Sequence, residues 1–304
     1  MFTYLCHLFS SIYNQRGSIL IQGLIFAILA LGVYITYKIL DFPDLSVDGT
    51  FPLGAAVTAV MITKGVNPFL TLPVAFLCGA FAGMLTGLIH VKLKVRDLLA
   101  GIIISTALYT VNLRIAGKSN LPFFSKETIF TMGPIKNIAV NTSLTKIVMV
   151  IIVVIILKIL LDLYLKTRSG YLLRATGDNS TLVTSLGKDK GLVKILGLSL
   201  ANGLAALAGC IYAQEASYFD ASMGTGMVML GLASVIIGIS VFGRIRFVKP
   251  TTAVIIGSVI YKLCIAVAIA AGLVASDLKL VYSVLFLVIL VSTTERRKKV
   301  KANA

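Results

Sequence analysis

The chain has 304 residues, of which 58% are apolar and only 13% charged, and its mean hydropathy is +0.96. Soluble domains carry about a quarter charged residues, so this composition excludes one and fits a chain that crosses a membrane many times. The net charge of +16 is dispersed between apolar runs instead of forming a patch, which excludes a nucleic-acid surface, and the interruptions are too short for a soluble nucleotide-hydrolysing domain.

Taken in chain order, residues 1–12 are too few to span and are expected at the interface. Apolar runs then predict spans over 18–37, 51–63, 69–90, 98–116, 144–165, 192–213, 225–242, 251–274 and 280–293. No small-residue cleavage site follows the first run, which reads as a retained helix. In lipid all must be helices, because an open backbone there has no partners. The 51–63 run is too short to cross alone and follows a polar, Pro-containing stretch, which marks a broken helix. The fold class is an all-α polytopic membrane protein of about nine transmembrane helices, one domain over 1–304 with halves near 18–143 and 144–294.

Lys and Arg are more than twice as numerous in one set of alternate loops (Lys38, 92–96, 166–194, 244–249 and 296–301) as in the other (Arg16, Lys64, 114–146 and Lys279). The first set, with the C-terminus, is therefore expected in the cytoplasm. Arg16 opposes an outside N-terminus. Cys6, Cys78, Cys210 and Cys264 are far apart and neither they nor His7 and His90 form a ligand cluster, so no metal site is expected. No catalytic constellation is present either.

Two segments resemble each other. Asp44-Leu-Ser46 and Asp220-Ala-Ser222 are each followed by a Gly/Thr turn and then by Leu-Gly, at Leu53-Gly54 and Leu230-Gly231, opening an apolar helix. Five predicted spans separate the copies, and an odd number inverts the topology, a pattern of transporters whose substrate path follows the repeat interface. Recurrent helix capping would give the same residues. Gly79, Gly83 and Gly87 make a small-residue ridge for close helix packing, and Asn202 with Gly203, Ala206 and Gly209 gives a second small face with a polar group. Lys158 and Asp162, four apart, pair along one face. Lys262 lies deep in its run, where an ammonium is costly and needs a partner. No carboxylate lies deep in a span, which counts against an ion-gradient-driven secondary transporter, the alternative reading.

The longest inward loop, 166–191, contains Gly177-Asp-Asn179, which suits the start of a short helix over 180–186 that Gly187 stops. Such a capped helix on a cationic loop is suited to docking another protein.

Three stretches carry a family resemblance: Gln22-Gly-Leu-Ile-Phe-Ala-Ile-Leu-Ala-Leu-Gly32 leading to Asp44-Leu-Ser-Val, then Gly170-x-x-x-Arg174-Ala175-x-Gly177-x-Asn179 with Leu186-Gly187, and the 209–238 helical stretch. In them the chain resembles permease subunits of bacterial ABC importers of the branched-chain amino acid/ribose-type family. The loop Leu-Asp-Phe-Pro-Asp-Leu-Ser-Val-Asp-Gly at 40–49 is similar to the tryptophan/tyrosine-type subgroup. Asp48 before Gly49 departs from sugar-type members. The resemblance implies a multi-pass protein of the bacterial cell membrane, surrounded by lipid, that pairs with a second permease chain, a cytoplasmic ABC ATPase and an extracytoplasmic substrate-binding protein, and translocates an amino acid or related solute. The helix over 180–186 then resembles the coupling helix, with Gly170, Arg174, Ala175, Gly177, Asn179, Leu186 and Gly187 shaping it. The solute is expected to pass Asp44, Ser46, Asp48, Gly49 and Thr50, with Asp220, Ser222 and Asn202. Gly187-Lys188 is followed by Asp189, so no phosphate loop is formed there, and ATP use is left to the partner, with no cofactor on this chain. The outer segment 117–143, carrying Phe123, Phe124 and Phe130, is the expected docking place for the binding protein.

Overall fold

A computed structural model describes residues 2–132, 142–243, 245 and 247–270, with further helical positions at 280, 283, 284, 287, 288 and 291. Among the described residues the chain forms ten α-helices and one two-stranded sheet. The helices are α1 (Phe2–Val33), α2 (Val47–Thr63), α3 (Pro68–Lys92), α4 (Asp97–Ala116), α5 (Thr142–Tyr164), α6 (Arg168–Asp178), α7 (Ser180–Ser185), α8 (Lys190–Ala216), α9 (Met227–Phe242) and α10 (Pro250–Ala270). Six helical stretches are long and apolar enough to cross a bilayer, while α2 and α9, of 17 and 16 residues, are shorter. The ninth expected span and the C-terminal tail lie outside the described residues, save for those isolated helical positions.

Three differences from the sequence reading stand out. The helix begins at Phe2 and runs unbroken into the first span, so the leading residues are one piece with it. α2 starts at Val47, earlier than the apolar run, because Asp48, Gly49 and Thr50 form its first turn. Pro52 is accommodated within it and leaves the Asp48 carbonyl without its helical donor. The loop over 166–191 holds a second helix, α6, capped by the Thr167 hydroxyl accepting from the Gly170 N–H.

α1 and α8 form the interior. α8 packs against α1, α2 and α3, and α1 also contacts α5, α9 and α10. α5 presents Val148, Ile152, Ile155, Ile156, Ile159 and Leu163 outward, an apolar face suited to lipid. The close packing rests on absent side chains: a Cβ on Gly79 or Gly83 would overlap α8 at Ala206 or Leu198, and one on Gly54 would overlap the Ala206 carbonyl. α1 ends in a π-helical turn, Tyr34–Ile39, after which Asp41 takes a positive φ of 51° and the chain reverses toward α2. Strands β1 (Asn120–Pro122) and β2 (Tyr218–Asp220) pair antiparallel and join the segment after α4 to the segment after α8.

Gly54→Val is expected to destabilise the bundle by at least about 1–3 kcal/mol, since backbone cannot yield as a flexible side chain does. The midpoint of thermal unfolding of the purified protein checks this, and an unchanged midpoint contradicts it.

Candidate functional site

The break before α2 is where most of the expected path residues meet. Asp44 is buried, and its Oδ1 accepts from the Ser46 N–H at 2.8 Å and the Ser46 hydroxyl at 2.6 Å. Its Oδ2 accepts from Asn202 Nδ2 at 2.7 Å, and the second Nδ2 proton goes to the Leu198 carbonyl at 3.1 Å. Asn202 Oδ1 in turn accepts from the Thr50 hydroxyl at 2.9 Å, with the Ser46 hydroxyl 3.0 Å away. Asp44, Ser46, Thr50 and Asn202 thus form one buried network between α2 and the middle of α8, every member satisfied, which makes it a lock on the broken helix.

Asp48 and Gly49 lie beside that network and face other helices. The Asp48 carboxylate receives the Val228 N–H at 2.8 Å, so α2 caps the start of α9 with a negative group, as the positive end of a helix favours. Gly224, just before α9, approaches the Asp48 carbonyl so closely that a Cβ would overlap it. Gly49 packs on Ser105 of α4, and its carbonyl accepts from Asn112 Nδ2 at 3.1 Å. Asn112 is a site residue the sequence reading missed, although a lone Asn in an apolar span was the available signal. It is buried, and its Oδ1 has no hydrogen-bond partner among the described residues.

Asp220 and Ser222 stand apart from this network, next to the β1–β2 sheet. The Asp220 Oδ1 accepts from the Ser222 N–H at 2.8 Å and its hydroxyl at 2.5 Å, the same pair of bonds that Asp44 makes with Ser46. Their surroundings differ, since Asp220 reaches Asn120 at 3.3 Å where Asp44 reaches Asn202.

Lys262 on α10 holds its ammonium over the Phe26 ring, 5.1 Å from the centroid, and Phe26 stacks with Tyr212 at 5.6 Å and approaches Phe51 at 6.3 Å. An aromatic face is one way to hold a cation in an apolar bundle. Lys158 pairs with Asp162 at 3.2 Å as its spacing requires, and Asp162 also receives Lys249 at 3.2 Å and the Thr251 hydroxyl at 2.7 Å, which ties α5 to the start of α10.

On the 166–191 loop, Asn179 Oδ1 accepts from the Thr181 and Leu182 N–H groups at 3.1 and 3.3 Å and starts α7, and Gly187 at φ 68° ends it. α7 buries Val183 and exposes Leu182, and Leu186, which caps its end one residue earlier than the expected 180–186, is exposed too. Gly177 packs α6 so tightly on the Ile39 carbonyl that a Cβ would overlap it, and Gly170 is similarly tight against Tyr164. Arg174 is exposed and Ala175 half-buried. Asp189 caps α8 through the Gly191 N–H at 2.7 Å, so α7 with Leu186 and Gly187, a hook on this loop, leads into α8 across a short, defined turn.

The outer segment departs from expectation. Phe123, next to the β1–β2 pairing, packs with Phe219, Ala213 and residues of α2, and Phe130 lies in the main core beside Ile129, whose N–H donates to Gln214 Oε1 at 3.0 Å. Phe124 is the exposed one of the three, at 72%. Residues 133–141 lie outside the described residues.

Residues 16–293 match the family described as branched-chain amino acid transport system / permease component. The chain belongs to that family. It is 45% identical over 287 residues to a tyrosine transport system permease protein of Clostridioides difficile, covering 94% of each chain. It is 35% identical over 280 residues to an uncharacterised protein of Rickettsia prowazekii, covering 89% of this chain and 95% of that one. The ribose import permease protein RbsC of Escherichia coli is 28% identical over 228 residues, covering 74% of this chain and 69% of that one. No solved structure matches the chain. As a member of this permease family the chain is a multi-pass membrane component of an ABC importer, which the long apolar helices accommodate.

Asn202→Leu keeps the branched shape of the side chain but strips Asp44 and Thr50 of partners, and is expected to cost about 1–3 kcal/mol or more. The thermal midpoint should fall well below that of Asp220→Ala, whose partners are at the exposed end; equal midpoints contradict the lock.

Proposed function

We propose that the chain is the transmembrane subunit of an ATP-driven importer of an amino acid, with an aromatic one favoured by the tyrosine permease relative. It works as a homodimer in the bacterial cell membrane with its C-terminus in the cytoplasm, as one domain of nine spans built on an inverted repeat. The matched Asp44–Ser46 and Asp220–Ser222 turns support that repeat. A cytoplasmic ABC ATPase binds and hydrolyses ATP while this chain binds no cofactor, and an extracytoplasmic protein hands over the solute on the face bearing β1, β2 and Phe124.

The observation that carries the reading is the continuity of the hook with α8. α7 offers Leu182 and Leu186 to a partner groove, Gly177 and Arg174 seat and flank its base, and α8 follows at once. α8 has 27 residues, about 40 Å of rigid helix, and it carries Asn202 in its middle. A displacement of the hook by ATPase closure therefore reaches the lock on α2. Releasing Asp44, Ser46 and Thr50 from Asn202, and Asp48 from α9, frees hydroxyls and helix-start amides on the path, which suit a zwitterion's carboxylate. The ion-driven alternative gains no support from the geometry, since the hook would then have no task.

Asn179→Gly with Leu182→Asp removes the cap and the apolar contact of α7 without touching the bundle. Uptake of L-tyrosine and solute-stimulated ATP hydrolysis by the reconstituted complex should both fall at least about tenfold, as a coupling loss of roughly 1.4 kcal/mol or more gives. Thermal stability should stay within about 0.5 kcal/mol of the parent. Normal uptake in this variant overturns the coupling role.

A further inference from the structure

A cleft of about 560 Å³ opens where the end of α3 meets the starts of α4 and α8, on the side of the molecule that bears the hook. Lys94, Arg96, Lys190 and Lys194 line it, against the two carboxylates Asp97 and Asp189. Each carboxylate is turned onto its own helix, Asp97 accepting from the Leu98 N–H at 3.0 Å and Asp189 from the Gly191 N–H at 2.7 Å. Among the described residues Lys94, Arg96 and Lys190 make no ion pair. Lys94 also holds a left-handed backbone, φ 56°, a conformation that a lysine keeps only where its surroundings impose it.

His90 completes the lining and fixes one of the cations. Its Nδ1 donates to the Val95 carbonyl at 2.9 Å, which leaves the Nε2 lone pair to accept from the Lys194 ammonium at 3.2 Å. In this arrangement the imidazole is a support that holds the Lys194 side chain at the cleft. Next in sequence to lining residues, Leu93 is 70% exposed and Leu98 and Leu192 are exposed too, so apolar side chains neighbour the charged ones.

Four cations against two carboxylates leave the cleft an excess of positive charge, and with exposed leucines alongside it fits an oxyanion attached to a hydrocarbon chain. We propose that this cleft is a phosphate-binding site at the membrane surface, taking the phosphodiester of an anionic phospholipid, with free inorganic phosphate as the other source of the same chemistry. Because the first turn of α8 forms one wall, an occupant steadies the base of the helix that follows the hook.

Native mass spectrometry of the detergent-purified protein, titrated separately with phosphatidylglycerol, phosphatidylcholine and inorganic phosphate, tests the proposal by binding alone, independently of transport. Phosphatidylglycerol adducts should exceed phosphatidylcholine adducts and fall by about fivefold for each lysine lost in Lys94→Gln and Lys94→Gln/Lys190→Gln. Lys94→Arg/Lys190→Arg should retain them. Lys94 and Lys190 are exposed, and Lys94→Gln alone serves if the double variant fails to elute as a folded species. Inorganic phosphate adducts that block the lipid and vanish in the Gln variants support the site with free phosphate as its source. Equal lipid retention by parent and Gln variants, with no phosphate adduct, overturns it.

Discussion

A carboxylate taken out of water inside a lipid-embedded bundle has to be met by donors, and Asp44 is met by the backbone and hydroxyl of Ser46 and by the amide of Asn202. That single constraint joins the irregular segment before α2 to the middle of α8. It explains how the backbone can leave helical geometry at this point, because the irregular stretch is buried in protein and its polar groups find partners there. The glycines on α2 and α3 belong to the same solution: only with Gly54, Gly79 and Gly83 bare do these helices come close enough to α8 for the amide to reach.

From this joint the remaining architecture follows outward in both directions. Toward the hook, α8 begins at the Asp189 cap and the tight Gly187 turn, and α6 is pressed onto the end of α1 through Gly177. Toward the other end, Gln214 Nε2 donates to the Thr71 hydroxyl at 2.9 Å while its Oε1 accepts from the Ile129 N–H at 3.0 Å, so α8 is tied to α3 and to the segment after β1. Asp48 adds a lateral link from α2 to α9. A rigid rod held at three heights is what the proposed coupling requires, because packed interfaces shift between discrete arrangements and do not deform continuously.

The helices were legible in the sequence because a membrane makes apolar run length nearly synonymous with a span, and the runs at 69–90, 98–116 and 192–213 sit within α3, α4 and α8. The hook was legible for a different reason: Asn179 and Gly187 are local capping signals that act within a few residues. α6 was missed because its apolar face is short, with Leu172 and Leu173 the large apolar residues that pack on the core, so no run announces it. β1 and β2 were missed because three-residue strands paired across 100 residues leave no local pattern. Asp44, Ser46, Thr50 and Asn202 were each picked out singly as path residues, but their union is long-range and belongs to packing. The burial of Phe123 and Phe130 was not legible for the same reason, since distant residues, β2 for Phe123 and Gln214 beside Phe130, decide which aromatic is covered.

The most direct measurement of the central claim is concentrative uptake of L-tyrosine into proteoliposomes containing the purified permease, with and without its cognate ATPase and ATP, in the presence of the binding protein. The account predicts no accumulation above equilibrium from the permease alone under any ion gradient, and accumulation once the ATPase and ATP are supplied. Uphill accumulation by the permease alone contradicts it.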